Sequence, residues 1–268
     1  MNRLARVVRQ PKLQLLSLLI LLAAVALVRQ EQPGHALLRA AIGVASALFA
    51  EWAFFGAVQA TLIQSAAITG MLVGMILAPT APLLTIWLTV VAAVASKKLV
   101  EFGGGGRVLN PATAGLVFAT LFQGNHLNWW GFSSPFLVVI GAGAILFRLN
   151  RLSLPFAYFL ARSLGAMFFS GHVGMEAFLA PNLFFAFIML VEPKTSPGRR
   201  AEQWVFGGLC GFAATLLFRI IPGIDGDLLA LLAANVSKAV WDHRKRHSAL
   251  ASAPAGAQQQ LKANHLEG

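Results

Sequence analysis

The chain has 268 residues, 57% of them hydrophobic and only 12% charged, with a mean hydropathy of +0.70. A soluble domain carries about twice that charged fraction, and a β-barrel would show alternating strands of about ten residues, so continuous apolar runs indicate a helical membrane protein. The net charge of +11 reflects loop asymmetry across a bilayer, and no nucleic-acid partner is expected.

In chain order, a basic stretch at residues 1–12 has no small-residue cleavage site and reads as an uncleaved anchor. Ten apolar segments follow, at about 13–28, 38–58, 61–78, 83–99, 110–122, 135–147, 153–169, 177–191, 203–219 and 227–242. Several fall short of the roughly 20 residues of a full crossing. The shortest, 110–122, is a candidate half-helix. Within the second lies Glu51, a carboxylate that is costly in lipid unless protonated, hydrated or paired, with Arg162 or a lysine as partner. It is a candidate for an ion path. The fourth ends on Lys97 and Lys98, which orientation alone would explain. A glycine run, Gly103–Gly106, then leads through Arg107 to Asn110-Pro111, a strong helix start. Trp129-Trp130 read as an interfacial anchor. Asp225-Gly226-Asp227 opens the last segment with two acidic residues in its cap region. Residues 248–268 read as a disordered tail.

Starting inside and alternating puts 17 of the 21 basic residues on the inner side. Ten spans with both termini cytoplasmic, in a bacterial inner membrane, are the topology this favours. Pro82 precedes Asn110 by 28 residues, and Pro197 precedes Asp225 by the same 28. The copies are 115 residues apart, an offset of five spans. Five is odd, so the copies face opposite ways: an inverted repeat with a site where the halves meet. The chain thus reads as an all-α polytopic protein with one transmembrane domain, 1–247. Repeat one is about 13–122 and repeat two about 135–242, with a cytoplasmic tail from 248.

Several of these pieces, in order, resemble a known family. Ser65-Ala-Ala-Ile-Thr69-Gly70 begins a span ending in A-P-T-A-P. Ser96-Lys97-Lys98, the glycine run and Asn110-Pro111-Ala112 follow. Later come F-I-M-L-V-E-P-K-T-S-P (Phe187–Pro197) and G-I-D-G-D (Gly223–Asp227). Over roughly residues 38–242 this order is similar to the NqrB/RnfD family, membrane components of the sodium-pumping NADH:quinone oxidoreductase and of the related Rnf complex. The resemblance implies ten helices in two inverted halves, with a fold like that of urea transporters. It also implies flavin-linked electron transport beside partner subunits. A flavin would lie near Gly103, Gly104, Gly105, Gly106, Asn110 and Pro111. Ser65, Thr69, Glu192 and Thr195 match further motif positions. The flavinylation motif S-G-A-T is absent from the sequence, so covalent flavin mononucleotide is not expected. Any riboflavin or flavin mononucleotide would be held noncovalently. Lys97, Lys98 and the Asn110 helix start would favour its reduced, anionic form, with Asp225 and Asp227 facing them from the second half. A transporter or channel for a small polar solute is the alternative reading of the same fold. The single cysteine, Cys210, and six scattered histidines predict no haem, iron–sulfur cluster or metal site.

Overall fold

The computed structural model describes residues 10–56, 60–102, 106–124, 127–132, 134–170 and 182–252. They form ten helical segments. The first five are α1 (Pro11–Leu27), α2 (Pro33–Phe55), α3 (Ala60–Ile76), α4 (Leu83–Leu99) and α5 (Pro111–Phe122). The second five are α6 (Pro135–Arg148), α7 (Ser153–Ser170), α8 (Asn182–Phe184 continuing as Phe185–Met189), α9 (Arg200–Ile220) and α10 (Gly226–Ser252). Between α4 and α5 a small antiparallel hairpin pairs β1 (Glu101–Phe102) with β2 (Gly106–Arg107). Apart from this hairpin the described elements are helical, as a helical membrane protein requires. By length and composition α2 and α9 suffice to cross a bilayer, while α1, α5, α6 and α7 are shorter apolar helices.

Local chemistry sets the helix ends. Pro11, Pro33 and Pro111 each occupy a first turn, where a missing N–H costs nothing. The Asn110 side chain caps α5 by accepting from Thr113 N–H at 3.2 Å. Asp225 caps α10 by accepting from the amides of Asp227 and Leu228 at 3.0 and 3.1 Å. At its C-terminal end α3 is closed from outside. Asn128 and Trp129 amides donate to Ile76 O, Gly131 N–H donates to Met75 O, and the Trp130 indole donates to Gly74 O at 2.8 Å. Trp130 is therefore buried and serves as a helix cap, not the interfacial anchor expected from its position. Polar backbone in an apolar surrounding needs such partners.

Small residues decide which helices touch. Gly43 on α2 faces Gly70 and Gly74 on α3, so close that an added Cβ on either side would collide with backbone. Gly207 and Gly211 bring α9 equally close to Leu154 and Tyr158 of α7. Both pairs, Gly70/Gly74 and Gly207/Gly211, have the four-residue spacing of close-packed membrane helices. Further packing joins α4 to α5, α9 to α10, and α5 to α10 across the two halves of the chain. Helix α10 continues to Ser252, past the predicted start of the tail at 248.

Candidate functional site

One cavity of about 250 Å³ lies between the first half and the second. Its walls come from α1, α3, the start of α5, α6, α8 and the loop after α8. They are mostly apolar, with Leu72, Ile145 and Phe187 among them. Both α6 and α8 carry a stretch of wide π-helical turn, at Val138–Ala142 and Phe185–Met189. Ala142 of one and Phe187 and Ile188 of the other line the cavity. Such turns leave an α-helix locally bulged and often mark functional positions.

Five of the residues singled out in the sequence meet here: Ser65, Thr69, Asn110, Pro111 and Glu192. Ser65 and Thr69 are one turn apart on α3, and the Thr69 hydroxyl donates to Ser65 O at 2.9 Å. Asn110 holds the two halves together. Its Nδ2 donates to Met189 O at 3.0 Å, closing the end of α8, and its backbone N–H donates to Asn235 Oδ1 at 2.9 Å. Asn235 Nδ2 in turn donates to Thr195 O at 3.2 Å. Asn235 was not anticipated, although a lone amide inside an apolar segment is the relevant signal. Glu192 receives Arg107 Nη1 at 3.2 Å and Thr195 Oγ1 at 3.3 Å. Burial pushes the Glu192 carboxyl up, against the opposing pull of Arg107. Thr195 thus stands behind Glu192 and does not itself line the cavity. Lys12, Arg107 and Lys194 complete the lining. In the sequence these three cations carry only an orientation signal.

Other expected residues lie elsewhere. Lys97 is buried at the end of α4 and donates to Glu51 Oε2 at 2.7 Å. Glu51 is therefore paired with a lysine and not with Arg162, and Glu51 Oε1 has no hydrogen-bond partner among the described residues. Lys98 is exposed and donates to Phe54 O at 3.1 Å. Neither lysine, both expected beside a bound flavin, lines the cavity. Asp225 and Asp227 are also separate from it. Asp227 accepts from Tyr158 Oη at 2.6 Å and from Arg162, which also donates to Tyr158 Oη at 3.1 Å. Burial and the neighbouring Asp227 raise the Asp225 carboxyl to about 6, with the Trp129 indole as an opposing hydrogen-bond donor. Gly106 pairs with Phe102 in the hairpin. Gly103, Gly104 and Gly105 fall outside the described residues. Cys210 is buried as a free thiol, and no cluster of three metal-binding side chains occurs among the described residues.

The arrangement is that of a helical membrane protein with a mostly apolar cavity between its halves, whose lining includes Lys12, Arg107 and Lys194. Residues 5–133 match the family model described as NQR2, RnfD, RnfE family. The matched region contains Ser65, Thr69, Arg107, Asn110 and Pro111, whereas Glu192 and Asp225 lie beyond it. No curated protein matches the chain.

Proposed function

We propose that this protein is an integral-membrane subunit of an Rnf/Nqr-type electron-transport system. In this reading it binds riboflavin or flavin mononucleotide noncovalently in the cavity between α1, α3, α5, α6 and α8. The match of residues 5–133 to the NQR2, RnfD, RnfE family supports the electron-transport class. The observation that carries the site is the cavity itself, which gathers Ser65, Thr69, Asn110, Pro111 and Glu192 from both halves. The lining suits a flat aromatic ring. Phe187 and aliphatic side chains give apolar contact, and the Ser65 and Thr69 hydroxyls, the Asn110 amide and Glu192 are polar groups within the wall. A bound flavin would supply the redox chemistry, and the protein would supply position and field. The positive end of α5 and the adjacent Arg107 would favour added negative charge on the ring.

In the same reading the two halves are inverted repeats, and the site lies at their junction. Helix pairs at corresponding places support this: α2 packs on α4 as α7 packs on α9, and α4 on α5 as α9 on α10. The Asn110 and Asp225 caps, 115 residues apart, correspond in the same way. Both termini would be cytoplasmic in a bacterial inner membrane, beside further membrane or redox subunits.

The test is an absorption spectrum of the purified protein, followed by mass analysis of extracted cofactor. A flavin spectrum, or flavin uptake by the purified protein, is expected. A colourless protein that binds neither riboflavin nor flavin mononucleotide would overturn the reading. Uptake of a polar solute into liposomes without any redox partner would then favour the transporter.

A further inference from the structure

We infer that the exposed face of α9 is a binding site for an anionic phospholipid of the inner leaflet. Arg199 and Arg200 take the headgroup, and a gap at Gly208, between Trp204 and Phe212, takes an acyl chain. The inference rests on the proposed orientation of the chain and is independent of the flavin reading.

Arg200, Trp204, Gly208 and Phe212 follow one another at intervals of four along α9, so they form one ridge of the helix. Arg200, Trp204 and Phe212 are exposed, and a Cβ added at Gly208 would meet nothing within 4 Å. The ridge therefore has a gap one side chain deep between two aromatic rings. Gly207 and Gly211, not Gly208, are the glycines that bring α9 against α7. From Arg200 to Phe212 the helix rises about 18 Å, close to the depth of one leaflet, about 15 Å of hydrocarbon. Cation, aromatic ring and gap thus stand in the order of headgroup, interface and chain.

The charged end is held in place from below. Gln203, fully buried, donates to Gly198 O at 2.9 Å and to Asn150 O at 3.1 Å. The acids of α9 and of the adjoining end of α10 are already engaged. Glu202 pairs with Lys245 at 2.8 Å, and Asp242 with Lys238 at 2.7 Å. Arg199, Arg200 and Arg244 have no ion pair among the described residues. A preference for basic loops on one side of a membrane accounts for these arginines. It does not account for the gap along the ridge that Arg200 heads. A second copy of the chain would set the same arginines against each other across a two-fold axis, whereas an anionic headgroup complements them.

The purified full chain in detergent is mixed with dioleoylphosphatidylglycerol or with dioleoylphosphatidylcholine, and retained lipid is counted by native mass spectrometry. Phosphatidylglycerol is expected to be retained severalfold more than phosphatidylcholine. Arg199→Gln and Arg200→Gln should each weaken its retention about fivefold. Gly208→Leu, which fills the gap, should weaken it severalfold. Lys98→Gln removes an exposed cation of the same predicted side on α4 and should leave retention unchanged. Thermal unfolding of the lipid-free variants reports that each is folded, and the arginine variants carry the test if Gly208→Leu is not. Equal retention of the two lipids would overturn the site. So would equal losses on Lys98→Gln and on the arginine substitutions, which would leave only a diffuse basic surface. Retention unchanged in folded Gly208→Leu would remove the chain from the gap and overturn the site as well. A dimer that Gly208→Leu breaks and phosphatidylglycerol does not displace would assign the face to a second copy and overturn the lipid. None of these outcomes alters the flavin test, which reads the cavity and not α9.

Discussion

Glu51 and Lys97 are each costly in an apolar interior and acceptable together. Moving one ion out of water costs several kcal/mol even after relaxation, and a partner at 2.7 Å offsets much of it. Removing one partner should therefore cost more than removing both. Glu51→Gln alone, or Lys97→Met alone, is expected to lower stability by about 3–5 kcal/mol. The double variant should recover most of that loss. Thermal unfolding in detergent over the full double-mutant cycle measures it. A double variant as unstable as the worse single one would show that the pair is not what holds α2 to α4. The sequence marked Glu51 as costly and admitted a lysine as its partner. It could not choose Lys97, because that choice depends on how α2 and α4 cross, and nothing local encodes the crossing.

Among elements, the contact of α7 with α9 depends on the absence of side-chain atoms. A Cβ at Gly211 would strike the Tyr158 carbonyl, whereas one at Gly208, three positions earlier on the same helix, meets nothing within 4 Å. Gly211→Val should abolish or strongly reduce folded protein. Gly208→Ala should be neutral or slightly stabilising, because alanine is the better helix former. Detergent size-exclusion profiles of the two variants distinguish these outcomes, and equal profiles would remove Gly211 from its place in the packing. The ten helices themselves were legible, because apolar runs and proline or asparagine starts are local signals. The caps at Asn110 and Asp225 belong to the same class. What was not legible is where loops fold back. Trp130 looks like a boundary residue in one dimension and becomes the closure of α3 only in three. Lys12 and Lys194 likewise look like orientation charges until the helices bring them to one opening.

For the whole molecule, two exposed loops report the orientation of the two halves. Thr80 lies between α3 and α4, and Gly198 just before α9. In the proposed topology they lie on opposite faces of the membrane. In a Cys210→Ala background, Thr80→Cys should react with an impermeant maleimide added to intact cells. Gly198→Cys should react only after the membrane is opened. Labelling of both from the same face would end the inverted-repeat proposal. The residues singled out in the sequence divide between the cavity and other places in the fold. Asn110, marked by a helix start, and Glu192, marked by a short motif, meet at the cavity. Lys97, Lys98, Asp225 and Asp227, although marked in the sequence by charge, motif or helix start, are used elsewhere as pairs, caps and surface contacts.

The buried pair also has a history in time. Glu51 is synthesised 46 residues ahead of Lys97. At about 5–20 residues per second that is an interval of about 2–9 s. During it α2 leaves the ribosome with a carboxyl whose ammonium does not yet exist. Until α4 arrives the carboxyl has no partner, so α2 is expected to reach its final place only together with α4. The pair thus predicts that these two helices insert jointly, with α2, first in the chain, as the one that waits.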